Sequence, residues 1–410
     1  MLIALACDAI NNGDNAMKKR RFSKRFDALD LASGEAALAL SWRVLREQGA
    51  AVLDLTQSNP TLAGFQYPEE QLRAIFSRST ALPYHPAPRG MPEARQAIAA
   101  YYAARGWNIR AEDLILASGS SEAYAYLLKL LCDPGDAVMV PAPGYPLLDF
   151  AAMLENVRLV PCLSETAGGA RPRLTAASLE STAEDGVRAI VVIQPNNPTG
   201  AVLLPEEIAA LTSFADAQGI AIIVDEVFCD YCRPGVRFTP VQSTRAPVFT
   251  INGVSKILGL PQVKCSWIHV GGPPDFVQAA GDHLELIADT YLSVNTGVQA
   301  ALPELLALRH GIQGQIRARI ARNERAAAAL LAGCGAAEYA PPEGGWYLVL
   351  RFPMEPDDEV LALALLKEAG VYTHPGRMFG YRDGCRLVLS LITPESDFSE
   401  GLRRVLAFVA

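Results

Sequence analysis

From Leu114 to Val270 short apolar runs alternate with amphipathic stretches, the pattern of a parallel sheet wrapped by helices. The predicted strands are Leu114–Ala117, Ala137–Pro141, Val157–Cys162, Arg188–Gln194, Ala221–Asp225, Val248–Asn252 and Lys264–Val270. Asp133-Pro134-Gly135-Asp136 reads as a turn, and Pro205 opens a helix that ends near Gly219. Together these runs make one large α/β domain.

Residues from about Asp282 to Leu331 are Ala- and Leu-rich and read as long helices, and Gly344–Leu350 alternates like a strand. The tail adds a helix over 357–369, strands at Val371–His374 and Arg386–Leu391, and a helix from Ser396. With the amphipathic helix Gly34–Gln48 this predicts a smaller α+β unit built from both chain ends. The expected division is an extension at 1–26, a small domain from 27–60 and 296–410, and a large domain at 61–295.

The 410 residues carry 36 Lys plus Arg against 44 Asp plus Glu, a net charge of −8 that repels polyanions and speaks against nucleic acid as partner. One basic cluster, Lys18 to Arg25, reads as a solvated terminus. Eight cysteines without framework spacing suit a reducing, cytoplasmic setting, and the Cys229-x-x-Cys232 pair lacks the second pair a zinc site needs. No apolar run reaches bilayer length, so no membrane role is expected. Met1 to Cys7 lacks the basic region and cleavage site of an export signal, and Met17 is an alternative start.

Four places carry chemistry. Ala117-Ser118-Gly119-Ser120-Ser121-Glu122 follows a strand and opens a helix, where free amides and the helix dipole favour phosphate, although the same residues also make a capping box. Gln194-Pro195-Asn196-Asn197-Pro198-Thr199-Gly200 turns tightly at a strand's carboxyl end, where open α/β sheets bind ligands. Ile222-Ile223-Val224-Asp225-Glu226 ends a buried strand on an acid, which needs a cationic or protonated partner. Ser255-Lys256-Ile257-Leu258-Gly259 sets a lysine in apolar surroundings, where desolvation makes the amine nucleophilic toward carbonyls. Phosphate cradle, ring-polarising Asn, buried Asp and imine-forming Lys describe pyridoxal 5′-phosphate (PLP).

In this order the residues resemble the class I/II aminotransferases of PLP fold type I, from about Asp54 to the C-terminus. The resemblance implies a seven-stranded, mostly parallel sheet with helices on both faces and a smaller α+β domain. It also implies that Lys256 forms the Schiff base and shuttles the proton, with Asp225 paired to the pyridine nitrogen and Tyr145 stacked on the ring. Asn197 would hold the ring O3′, and Gly119, Ser120, Ser121, Ser255 and Lys264 the phosphate. Arg386, in Cys385-Arg386-Leu387, matches the arginine whose planar fork binds the substrate α-carboxylate. Tyr84, and Thr296 or Asn295, would reach the phosphate of a neighbouring subunit, making a homodimer with shared active sites.

Three departures stand out. Phe228 occupies a position where many relatives have a tyrosine on O3′, which predicts a raised pKa for the lysine–cofactor imine. Lys264 replaces an arginine, and Ser58-Asn59-Pro60-Thr61 replaces a glycine loop, which brings Asn59 toward the substrate carboxylate. Leu292, apolar where an aspartate-specific branch has arginine, points to neutral or hydrophobic donors; Leu62, Phe65, Tyr67 and Trp346 are pocket candidates against a plain core role. The expected reaction moves an amino group from an L-amino acid to a 2-oxo acid by two-stage, ping-pong exchange. Two rivals share the motifs: a C–S lyase performing β-elimination, and a non-catalytic PLP-binding regulator, for which the chain ahead of the fold is short.

Overall fold

A computed structural model describes residues 23, 25, 34–77, 86–163, 173–353 and 357–410. The expectations for Tyr84, the basic cluster as a whole and the alternative starts lie outside the described residues. Two compact units divide the chain. The larger takes Ser58–Ala321 and Ala340–Tyr347; the smaller takes the described residues up to Gln57 with Arg322–Tyr339 and Leu348–Ala410.

After the two-residue strand β1 (Leu53–Asp54), the strands of the larger unit are β2 (Leu114–Ala117), β3 (Ala137–Ala142), β4 (Arg158–Leu163), β5 (Val187–Ile193), β6 (Ala221–Asp225), β7 (Val248–Gly253) and β8 (Ser266–Gly271). They form one sheet of seven strands in the order β2-β8-β7-β6-β5-β3-β4. All neighbours are parallel except those of β8, which runs antiparallel to both β2 and β7. β2, and β6 as far as Asp225, are continuous runs of Ile, Leu, Val and Ala because both faces are covered. Ile223, Phe249 and Ile251 meet the helices Ser120–Leu131, Leu147–Glu155 and Pro274–Tyr291 on one face. On the other, Ile222, Val224 and Val248 meet Pro205–Gln218.

Strand direction decides where the chemistry gathers. The segments after β2, β3, β5, β6 and β7 leave the sheet at its carboxyl end, the end where α/β folds place ligands. Because β8 is reversed, the residues that precede it reach that same end. Lys264, expected inside this strand, lies before it. Its φ of 57° is left-handed backbone that cannot continue a ladder, and pairing starts at Ser266.

Helix boundaries also differ from expectation. The helix expected near Asp282 starts at Pro274, where proline supplies the first-turn φ and needs no amide acceptor. Thr296–Ala307, assigned by sequence to the small domain, belongs to the larger unit because Ala301, Leu302 and Leu305 share a core with Ala94, Ile98 and Tyr102 of the helix Pro92–Ala103.

The smaller unit pairs β1 in parallel with β10 (Val371–Tyr372). A three-stranded sheet holds β11 (His374–Pro375), β12 (Cys385–Ser390) and β9 (Tyr347–Phe352) in the order β11-β12-β9. Trp42, on the helix Gly34–Glu47, stacks on Tyr372 at 4.6 Å. The expected helix over 357–369 is α-helical at Asp358–Ala364 and widens over Leu365–Ala369 before Gly370 ends it at a φ of 64°.

Candidate active site

Asp225 ends β6 and is 3% exposed. Its Oδ1 accepts the Val227 amide at 3.0 Å and its Oδ2 accepts the Tyr124 hydroxyl at 3.0 Å. Burial pushes this carboxyl up to about 6, while the two hydrogen bonds and the charge of Lys256 pull the other way. Tyr124 lies on the buried stripe of the helix Ser120–Leu131 with Ala123, Leu127 and Leu128.

Lys256 lies in the short helix Val254–Ile257 that follows β7, the strand beside β6. Its Nζ stands 4.7 Å from the Trp346 ring centre and 5.4 Å from that of Phe228. Burial lowers the amine to about 8, opposed by Asp225. An amine so placed is neutral in a usable fraction near neutral pH, which a nucleophile toward a carbonyl requires. The backbone around it is gripped as well. The Tyr231 hydroxyl donates to the Lys256 carbonyl at 2.6 Å, and Gln313 Nε2 donates to the Ile257 carbonyl at 3.1 Å and to Asp230 Oδ2 at 2.9 Å.

Three further groups surround this pair. Tyr145, half-buried after β3, has its phenol raised by burial and, in smaller measure, by Tyr347 and Asp225. Asn197 follows β5, is 6% exposed, and its Oδ1 is buried without a partner. Its neighbour Asn196 instead closes the turn, accepting the Thr199 amide at 3.2 Å and hydroxyl at 2.8 Å. Phe228 sets its ring edge-on to Trp346 at 5.3 Å and brings no hydroxyl to the site.

The phosphate-type cradle stands after β2. Gly119 is the N-cap of Ser120–Leu131, so the amides of Ser120 and Ser121 open the helix where intrahelical acceptors are missing. A Cβ at Gly119 would stand 3.3 Å from Lys264 Nζ, so the ammonium reaches the helix mouth. Glu122 turns back to accept the Ser118 amide, but the N-cap is Gly119, which has no side chain, so the capping box expected here does not form. Ser255 is half-buried, one residue before the lysine.

Other expected residues are placed less directly. Thr296 is half-buried at the first position of its helix, and Asn295 caps that helix by accepting the Val298 amide at 3.1 Å. Asn59 accepts the Thr61 amide at 3.1 Å and hydroxyl at 2.8 Å, capping the turn Pro60–Leu62. Arg386, on β12 of the smaller unit, has only 13% of its side chain exposed, lies over the Tyr381 ring at 4.6 Å and meets Asp383 at 3.3 and 3.4 Å. Sequence reading missed Tyr124, Tyr231 and Gln313. For Tyr124 the signal was a hydroxyl-bearing residue on the inward stripe of a helix.

The set suits an anion at the Gly119–Lys264 mouth, a basic ring atom at Asp225 and a carbonyl at Lys256. Among the described residues no cluster of metal-ligating side chains competes for the site. Fold and site together define an aminotransferase of PLP fold type I. Residues 50–399 match the family described as aminotransferase class I and II, and the chain belongs to it. It is 28% identical over 347 residues to the glutamate-pyruvate aminotransferase AlaA of Escherichia coli K12, covering 82% of this chain and 85% of that protein. It is 27% identical over 374 residues to the alanine aminotransferase of Mycobacterium tuberculosis H37Rv, covering 88% and 86%. Among solved structures, an alanine aminotransferase from Pyrococcus furiosus superposes with a TM-score of 0.85 at 22% identity over 95% of this chain and 99% of that one. Among the described residues no helix is long and apolar enough to cross a membrane.

Proposed function

We propose that the protein is a PLP-dependent aminotransferase that exchanges an amino group between a neutral L-amino acid and a 2-oxo acid in two half-reactions. The observation that carries this reading is the half-buried Lys256 amine near the buried Asp225 carboxyl, at the carboxyl ends of adjacent parallel strands. The relatives named for alanine and for pyruvate support a small neutral donor, as does the apolar Leu292. When bound, the cofactor supplies an aldehyde and a protonated ring that withdraws electrons from the substrate's α-carbon.

The chain's own groups do the rest. Lys256 Nζ would take the proton from the substrate α-carbon and hold it for return, a role for which a lowered amine pKa is suited. Asp225, ionised above about pH 6, holds negative charge against the ring nitrogen and keeps its proton there. Asn197, with its unpartnered buried oxygen and adjoining amide, and Tyr145 are the residues that would hold the ring. The amides of Ser120 and Ser121 with Ser255 and Lys264 would hold the phosphate, and the planar fork of Arg386 suits a substrate carboxylate, the group for which the resemblance also offers Asn59.

By the family resemblance Thr296, at the first turn of its helix, would reach the phosphate of a second subunit, and the working form proposed is a homodimer. Leu286, Tyr291 and Leu292, apolar yet exposed, support such a contact. The cysteines among the described residues are free, consistent with a cytoplasmic setting.

The test is the absorption spectrum of purified protein with PLP, taken before and after single L-amino acids without any oxo acid. The visible band is expected to convert stoichiometrically to a near-ultraviolet one, with neutral donors such as alanine ranking first. Pyruvate accumulating from cysteine conjugates under a persistent band would move the reading to β-elimination, and no band at all would remove Lys256 from its role.

A further inference from the structure

We propose that Tyr124 is a positioning residue that holds the Asp225 carboxylate charged and correctly rotated toward the cofactor's ring nitrogen; this rests on the function proposed above. Asp225 sits where water is excluded, and a carboxylate there stays charged only if donors replace its hydration. Two donors do so, one on each oxygen: the Val227 amide on Oδ1 and the Tyr124 hydroxyl on Oδ2, both at 3.0 Å. The backbone amide comes with the turn after the strand. The second donor belongs to a side chain from the helix Ser120–Leu131, 101 residues away in sequence.

Tyr124 is 2% exposed, and its phenol is raised well above the usual range by burial and by Asp225 itself, so it never ionises and remains a donor throughout the working pH range. The titratable groups that bear on Asp225 are Lys256, Tyr124, Glu226 and Tyr145. Of these, only Lys256 and Tyr124 favour the charged carboxylate. Covalent attachment of the cofactor consumes the Lys256 ammonium, which leaves Tyr124 as the side chain that keeps Asp225 ionised. The site thereby carries its phenol against the acid at the ring nitrogen, while the position beside Lys256 holds the hydroxyl-free Phe228.

The experiment loads the protein with PLP labelled with nitrogen-15 in the ring and compares wild type with Tyr124→Phe. At neutral pH the ring-nitrogen resonance of Tyr124→Phe should move toward the unprotonated position, because a more basic Asp225 draws the proton to itself. By equilibrium dialysis the PLP dissociation constant should rise about tenfold, the loss of one hydrogen bond to a charged group. In an Asp225→Asn background the same Tyr124→Phe change should add less than about threefold, since the two act as one unit.

An unmoved resonance, or an equal loss in the Asp225→Asn background, overturns the proposal. Should Tyr124→Phe not fold, 3,5-difluorotyrosine placed at 124 keeps the shape and strengthens the donor. The resonance should then move the opposite way, and no movement is equally fatal. A wild-type protein that binds no PLP removes both readings. A wild type that binds normally beside an unchanged Tyr124→Phe removes this one alone.

Discussion

Asp225 and Glu226 are chain neighbours, both carboxylic acids and both almost fully buried, yet the two faces of the sheet treat them in opposite ways. Asp225 meets a donor on each oxygen and has Lys256 near, and burial raises it only to about 6. Glu226 turns toward Tyr102 and Arg105, lines a cavity of about 490 Å³, and keeps a buried Oε2 without a partner. Burial and the nearby Asp225 push it up to about 8, with Arg105 acting against both. One acid is therefore ionised at neutral pH and the other largely protonated, although the sequence writes them side by side. Burial alone does not set charge; the supply of donors does.

The largest test of this contrast is the charge itself. Asp225→Asn should lower kcat/KM by roughly 10²–10⁴-fold, whereas Glu226→Gln should stay within about threefold of wild type; equal losses would show that both acids serve the reaction. Next is the amine. With Lys256 at about 8, the rate at which apo-protein takes up PLP should rise about tenfold per pH unit below that value and flatten above it. A flat profile from pH 6.5 to 9 would mean that the amine is not perturbed.

Removing Arg105 should cost stability, because it pairs with the buried Asp230 and offsets Glu226. Arg105→Met is expected to destabilise by about 3 kcal/mol in urea unfolding, as for other buried pairs broken on one side. The effect most spread out over pH is a slope. A carboxyl whose folded pKa exceeds its unfolded value contributes stability that is complete below about pH 4.5 and lost as pH rises through about 8. Glu226→Gln should abolish that loss, flattening the wild-type decline by up to ~1.4 kcal/mol per pH unit between pH 5 and 8. Parallel curves for the two proteins would place Glu226 in its charged form.

Much of this was legible along the chain because the strands are long runs of one character. Ala221–Asp225 and Leu114–Ala117 emerge with their expected bounds, since each is an apolar run buried on both faces that a polar residue closes or follows. Lys264 was misplaced by two residues, because nothing local distinguishes a left-handed lysine from the first residue of a strand. The candidate nucleophile and acid were legible as charges stranded in apolar runs. Their supports were not: Tyr124 reaches Asp225 across 101 residues, and Tyr231 and Gln313 reach the lysine's backbone through the tertiary fold alone. Asn59 illustrates the converse, since its capping of Pro60–Leu62 is a local pattern that sequence reading passed over for a more distant role.

The grip on the Lys256 backbone has a consequence for altering this enzyme. The stretch that begins with Asp225 continues within six residues to Tyr231, whose hydroxyl holds the Lys256 carbonyl, and Asp230 beside it shares Gln313 with the next peptide. Acid and amine thus hang from one short strap. Directed evolution that diversifies this stretch will shift both groups together, so libraries aimed at new substrates have more independent freedom elsewhere in the pocket.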